Sequence, residues 1–234
     1  MREITTVAQP GVYALGIDEA GKGSWLGPMV LCGFYLRSEE EFRKLRSLPV
    51  NDSKLLSPKV RERLYASLKD FAHHCVLVTP EAIDTNNMNT LELEVVVDLA
   101  KNFKPRTLVF DAPVNPQGIP RLINRLRYLL TRSPGQSQEL PRLIVENKAD
   151  QNYLVCMAAS IIAKVTRDRE IEKLRQLYGD CGSGYPSDDR TLKFLESLNP
   201  RDFEAFSPNI RKKWSSMKRL QTNNSQRQKE LIHG

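Results

Sequence analysis

The chain is 234 residues long, 40% hydrophobic and 27% charged, an ordinary globular composition with room for one large domain or one domain with an appendage. It has no apolar run near the roughly 18 to 20 residues of a membrane span, and Met1-Arg2-Glu3-Ile4-Thr5 lacks the hydrophobic region of a secretory signal, so the expected location is cytoplasmic. Of the formal net charge of +7, +5 lies between Arg201 and Gly234, where eight Lys or Arg face three Asp or Glu; such a flank suits contact with a polyanion, most simply nucleic acid.

Val12 to Ile17 and Met29 to Leu36 read as buried strands separated by a glycine-rich turn, the start of a sheet. Glu39 to Leu48 reads as a short charged helix and Asn51 to Lys54 as a polar loop. Ser57-Pro58 supplies an N-cap with proline at the first helical position, opening a helix to about Phe71. Cys75 to Thr79 is a third strand, Pro80 to Asp84 a single helical turn, and Thr85 to Asn89 a polar loop. Leu91, Val95, Leu99 and Phe103 give Thr90 to Phe103 a helical stripe. Thr107 to Asp111 is an apolar strand ending in an acid, Ile119 to Thr131 a helix, Ser133 to Pro141 a surface loop, and Arg142 to Glu146 the last strand. A long helix follows Asp150, with a small, buried middle at Ala158 to Ala163, and fades by Tyr178-Gly179. Gly182 to Pro186 is an ordered turn, Ser187 to Leu198 another helix, and residues from about Asn223 read as a frayed helix or disorder. Three early strands followed by alternating strand and helix make an α/β fold with a mixed sheet. The division is a catalytic domain over residues 1–200 and a basic helical extension over 201–234.

The four cysteines are scattered, with no Cys-x-x-Cys and no histidine at ligand spacing, and read as reduced core thiols. His73 and His74 carry no assigned role. The chemistry gathers at acids. Asp18 and Glu19 end the first strand and run into Gly21-Lys22-Gly23; Asp111 ends a later strand; Asp150 precedes the buried helix. Strand ends are where ligands collect in α/β sheets. Each acid also has a purely architectural reading: Asp150 as a helix cap, Asp111 as a turn initiator, Asp18 as a strand-end acid. Together they would repel one another unless a cation joined them, and carboxylates with water are the ligands that Mg²⁺ or Mn²⁺ prefers.

Gly16-Ile17-Asp18-Glu19-Ala20-Gly21-Lys22-Gly23, Asp52-Ser53-Lys54-Leu55, Lys148-Ala149-Asp150 and Ala158 to Asp168 resemble ribonuclease HII, and Gly182 to Asp188 resembles its archaeal and eukaryotic branch. The likeness runs from about Ala14 to Trp214. It implies an RNase H-like fold, a five-stranded mixed sheet flanked by helices with a helical C-terminal extension. It implies hydrolysis of RNA in RNA–DNA hybrids and cutting 5′ to single ribonucleotides in duplex DNA, by a metal-activated water, leaving 5′-phosphate and 3′-hydroxyl ends. Carried over by position, Asp18, Glu19, Asp111 and Asp150 are the catalytic and metal-binding acids, for Mg²⁺ or Mn²⁺, with two ions during catalysis. Gly21, Lys22 and Gly23 stand where the family has Gly-Arg-Gly, bringing backbone against the ribose 2′-hydroxyl; lysine keeps the charge but loses the bidentate fork. Tyr185 matches the tyrosine that senses the 2′-hydroxyl and stacks at the RNA–DNA junction, although without the motif it reads as a tyrosine buried in a turn.

Ser53, Lys54 and Asn89 are expected at the phosphate backbone. Lys164 has two readings, a phosphate contact or a partner for an acid. Arg211, Lys212, Lys213 and Lys218 are expected to grip the DNA strand, and Trp214 to pack against the body. The alternative function is a hybrid-binding module on the same fold that does not cut. The chain is expected to be a monomer, and Gln228-x-x-Leu231 without a following aromatic pair predicts no strong sliding-clamp contact through the tail.

Overall fold

The computed structural model describes residues 12–50, 57–132 and 139–213, which form two compact units. The first draws on residues up to Ala20, Val30–Val76 and Asn89–Thr166; the second on Gly21–Met29, Leu77–Met88 and the chain from Arg167. Ser53 and Lys54, residues 133–138 of the loop expected before Pro141, Trp214, Lys218 and the clamp-like tail sequence lie outside the described residues.

The sheet has five strands, β1 (Ala14–Ala20), β2 (Met29–Leu36), β3 (Ala72–Val78), β4 (Thr107–Asp111) and β5 (Arg142–Glu146), in the order β3-β2-β1-β4-β5. β1 pairs antiparallel with β2 and parallel with β4, and β4 pairs parallel with β5, so the sheet is mixed as expected. The helices are α1 (Glu39–Arg46), α2 (Pro58–Leu68), α3 (Pro80–Thr85), α4 (Met88–Phe103), α5 (Ile119–Thr131), α6 (Ala149–Asn152), α7 (Leu154–Tyr178), α8 (Asp189–Ser197) and α9 (Pro200–Phe206). Several starts follow from local chemistry: Ser57, Thr79 and Asn199 each accept a hydrogen bond from a backbone N–H of the first turn, and each is followed by a proline.

In the first unit the core joins β1 and β2 to the small-residue stretch of α7, with Cys156, Ala158, Ala159, Ile161, Ile162 and Ala163 fully buried. Gly16 lets β1 approach that helix: a Cβ there would stand 2.5 Å from the Val155 carbonyl oxygen and 2.6 Å from the Cys156 nitrogen. The helical stripe of α4 is rotated from the sequence expectation. Val96, Leu99 and Ala100 are buried with Glu92, whereas Leu91, Val95 and Phe103 are half-buried. The helix expected to follow Asp150 is broken: α6 ends at Asn152, Tyr153 is extended, and α7 starts afresh at Leu154. Cys32, Cys156 and Cys181 are buried, Cys75 is half-buried, and all four thiols are free.

The second unit has its own core, in which Trp25, Leu26, Ile171, Phe194, Phe206 and Ile210 are buried. Phe206 stands edge-on to both Tyr178 and Phe194 at 4.9 Å between ring centres. Here belong α9 and residues 207–213, the described part of the expected extension. Lys212 and Lys213 donate their backbone N–H groups to Asp84 of α3 at 2.7 and 3.1 Å.

Candidate active site

β1 and β4 run parallel with Ile17 beside Phe110, so the next residues, Asp18 and Asp111, follow side by side where the β1–β4 pairing ends. Beyond β5, Lys148 takes a left-handed backbone conformation with φ +62°, turning the chain directly into α6, which carries Asp150. That turn is pinned from two sides. The Asn147 amide donates to the carbonyls of Ala112 and Val114 at 2.9 and 2.6 Å, and the N–H groups of Lys148 and Ala149 donate to Asp111 Oδ1 at 2.8 and 3.3 Å. Asp111 therefore seats α6 as well as presenting a carboxylate. Asp150 does not cap its helix with its side chain; Lys148 is the N-cap residue.

Asp18, Asp111 and Asp150 each bring a carboxylate oxygen within 4.8 Å of the others. Asp18 and Asp150 are 5% and 4% exposed, and Asp111 is half-buried. Burial pushes the Asp18 carboxyl up to about 7, with the charges of Asp111 and Asp150 adding to the rise; hydrogen bonds from Ser160 and the Glu19 backbone oppose it. An oxygen-only trio that resists ionising together fits a hard divalent cation, which would relieve both the repulsion and the desolvation. Glu19 is not a member of this trio. Alternation along a strand sends neighbouring side chains to opposite faces, which parts the Glu19 side chain from that of Asp18.

Sequence reasoning passed over Ser160. From the buried face of α7 its hydroxyl bonds Asp18, and it accepts a 2.7 Å hydrogen bond from Lys164 Nζ. Lys164 thus reaches the acids through a hydroxyl. The signal was the polar residue inside an otherwise apolar helical stretch. Asn89, the second residue of α4, lines a cavity in the same unit with Pro113 and Asn115.

The expected ribose-reading residues lie in the second unit. Gly21 has φ +80°, and a Cβ there would meet Arg167 Nε at 2.8 Å and the Pro28 carbonyl oxygen at 2.9 Å. Lys22 is half-buried and Gly23 exposed. The Gly184 carbonyl accepts from Trp25 and Leu26 N–H at 2.7 and 3.2 Å, tying the Gly-Lys-Gly turn to the loop that carries Tyr185. Arg167, 3% exposed, reinforces the tie by donating Nη2 to Leu26 and Ser183 carbonyls at 3.0 and 3.1 Å, with its guanidinium 5.6 Å from the half-buried Tyr185 ring. It lies within the Ala158 to Asp168 stretch, where an arginine reads as solvated rather than as a buried node.

Arg211 corrects an expectation. It is fully buried and donates to the carbonyls of Lys22 at 2.7 Å and Gly27 at 3.2 and 3.3 Å, so its guanidinium holds the glycine turn and is not available to a DNA strand. An Arg-Lys-Lys run reads as a solvated basic patch until one member is seen to be consumed by backbone carbonyls.

Comparison with known proteins agrees with this geometry. The family model described as ribonuclease HII matches residues 15–216. A ribonuclease HII of Pyrococcus horikoshii is 42% identical over 214 residues, covering 88% of this chain and 91% of that protein. The crystal structure of the ribonuclease H2 from Pyrococcus horikoshii superposes with a TM-score of 0.74 at 38% identity, covering 91% of this chain and 98% of that one. The ribonuclease HII in a complex with PCNA from Archaeoglobus fulgidus superposes at 0.71 with 34% identity, covering 88% and 96%.

Proposed function

This chain belongs to the ribonuclease HII family, endonucleases of the ribonuclease H type, and on that footing we propose that it hydrolyses the RNA strand of RNA–DNA hybrids and cuts 5′ to single ribonucleotides in duplex DNA. The observation that carries the reading is the trio of carboxylates, Asp18, Asp111 and Asp150, within 4.8 Å at the ends of adjacent strands and the start of α6. These three would hold Mg²⁺ or Mn²⁺, with Glu19 as the proposed fourth acid. A divalent cation bound there supplies Lewis acidity, making water a better nucleophile and stabilising charge on the leaving oxygen.

The residues divide the remaining work. Asp111, fixed by two backbone N–H groups, sets the position of Asp150 through α6. The Lys164–Ser160 pair orients the Asp18 carboxylate and favours its ionised form. Water attacks phosphorus and the bond to the 3′ oxygen breaks, leaving a 5′-phosphate and a 3′-hydroxyl. The glycine turn at Gly21 to Gly23 and Tyr185 read the 2′-hydroxyl, Gly21 and Gly23 by admitting the ribose to the backbone and Tyr185 by hydrogen bond and stacking. Ser53, Lys54 and Asn89 are proposed phosphate contacts, and the protein is proposed to act as a cytoplasmic monomer.

The test is cleavage of a labelled DNA duplex carrying one ribonucleotide, with Mg²⁺, Mn²⁺ or chelator, by the wild type and Asp18→Asn. Metal-dependent cutting 5′ to the ribonucleotide, lost in the variant and absent on all-DNA duplex, is the expected result. Cutting of all-DNA duplex at a similar rate would refute the substrate; tight hybrid binding without cutting would refute the activity.

A further inference from the structure

The helix that follows Asp111 carries a feature that the catalytic reading does not use. α5 and its C-cap residue hold Arg121, Arg125, Arg127 and Arg132, all exposed, and no Asp or Glu. Arg121, Arg125, Tyr128 and Arg132 are spaced by four, three and four, which places them in one stripe about 16 Å long. Leu122, Leu126 and Leu130 bury the other face.

Tyr128 is 44% exposed and lies between two guanidiniums, Arg125 at 5.5 Å and Arg132 at 4.9 Å from its ring. Some cations elsewhere are neutralised by a neighbour on their own helix or beside it, as Arg37 is by Glu41, Lys173 by Glu170 and Arg175 by Glu172. Among the described residues no ion pair engages the arginines of the α5 stripe. A merely solvated helix face usually mixes both signs; this one concentrates a single sign around an aromatic ring.

The stripe also shares a cavity with the chain that follows Asp111. A cavity of about 620 Å³ is lined by Asn89, Leu93, Pro113, Asn115, Arg121 and Arg125. The chain from Asp111 runs through Pro113 and Asn115 along its wall into α5, so the cavity begins two residues beyond a site carboxylate.

We infer that this cavity and the Arg121–Arg125–Tyr128–Arg132 stripe hold the phosphate backbone of the nucleic-acid substrate beyond the scissile linkage. The occupant is a polynucleotide because guanidiniums at this spacing match repeating phosphates and an exposed tyrosine offers a face to a sugar or base. The inference rests on the nuclease reading for the identity of the polyanion. Each phosphate contact should release counterions and steepen the salt dependence of binding.

The experiment compares the wild type with Arg121→Gln/Arg125→Gln/Arg132→Gln on a long duplex carrying one central ribonucleotide, reading kcat and KM against salt, and measures binding of plain DNA duplex by anisotropy. All three positions are exposed, and circular dichroism with the matching triple lysine variant controls for folding. If all three touch phosphate, the slope of log KM against log salt falls by about 2.7 with kcat kept, so between about 50 and 200 mM salt KM rises about 40-fold less than in the wild type. The lysine variant should keep most of the slope. Unchanged KM and slope would overturn the inference and leave the stripe to an acidic protein or to water; a fall in kcat at unchanged KM would overturn it too. Absence of cleavage by the wild type would sink the nuclease reading instead, and the anisotropy slope on plain duplex would still decide the stripe.

Discussion

Replacing Asp18 by asparagine should stabilise the metal-free protein while abolishing its activity. The Asp18 carboxyl is 5% exposed and is pushed up to about 7 from an ordinary 3.8, chiefly by burial and then by Asp111 and Asp150. The unfolded chain gives up this proton near pH 4 and the folded chain keeps it to about 7, so between those values the folded state binds more protons. Stability from this group is therefore fully present below about pH 4 and lost as pH rises through about 7. About three pKa units correspond to at most about 4 kcal/mol. Asparagine is nearly isosteric, its carbonyl can still accept from the Glu19 N–H, and it carries no charge to desolvate. Urea unfolding in chelator should place Asp18→Asn above the wild type by up to about 4 kcal/mol at pH 8, with the gap closing by pH 4. Adding Mn²⁺ should narrow the gap at pH 8 by stabilising the wild type more. A variant no more stable than wild type at pH 8, or a gap independent of pH, would refute this account of the site.

Two further outcomes follow from the geometry and one from the sequence of the tail. Ser160→Ala removes a hydrogen bond that favours ionised Asp18, so the pH at which metal-free stability declines should move up and Mn²⁺ affinity, read by titration calorimetry at pH 7, should fall about tenfold; unchanged affinity would show that the serine only packs. Gly16→Ala forces a methyl against the Val155 carbonyl and should cost about 3 kcal/mol or more in denaturant unfolding, a loss under about 1 kcal/mol being incompatible with the observed approach of β1 to α7. Deleting residues 223–234 should leave any stimulation by a sliding clamp unchanged; its loss would give Gln228 and Leu231 a docking role.

The sheet and the acids near its strand ends were legible because their signals are local. Short apolar runs leading into Asp18 or Asp111 show both the strand and the neighbourhood of its tip, and Ala158 to Ala163 announces a helix small enough to lie against the sheet. Which acids converge was less legible. Asp18 and Asp111 meet through strand register, a property of pairing partners distant in sequence, and Asp150 joins them through a left-handed residue, Lys148, that no periodicity announces. The separation of Glu19 from the trio could have been read from the period of two along a strand. The buried roles of Arg167 and Arg211 could not, since arginine in a polar stretch reads as solvated until the carbonyls it serves are in place. The α5 arginines posed the reverse problem: their spacing is visible in the chain, but only the fold shows that Arg121 and Arg125 share a cavity with Pro113 and Asn115.

The three carboxylates are unequal in what their loss would do to the folded chain. Asp111 accepts the two N–H groups that seat α6, so a lineage losing it would lose both catalysis and part of the architecture. Asp18 seats no neighbouring helix through its hydrogen bonds from Ser160 and the Glu19 N–H and is held ionised only at a cost, so its loss would leave an inactive protein at least as robust as its ancestor. Decay toward a silent descendant, when selection on cutting lapses, thus has a preferred first step. In a set of related chains that have given up the reaction, the vacancy at Asp18 should appear while Asp111 persists.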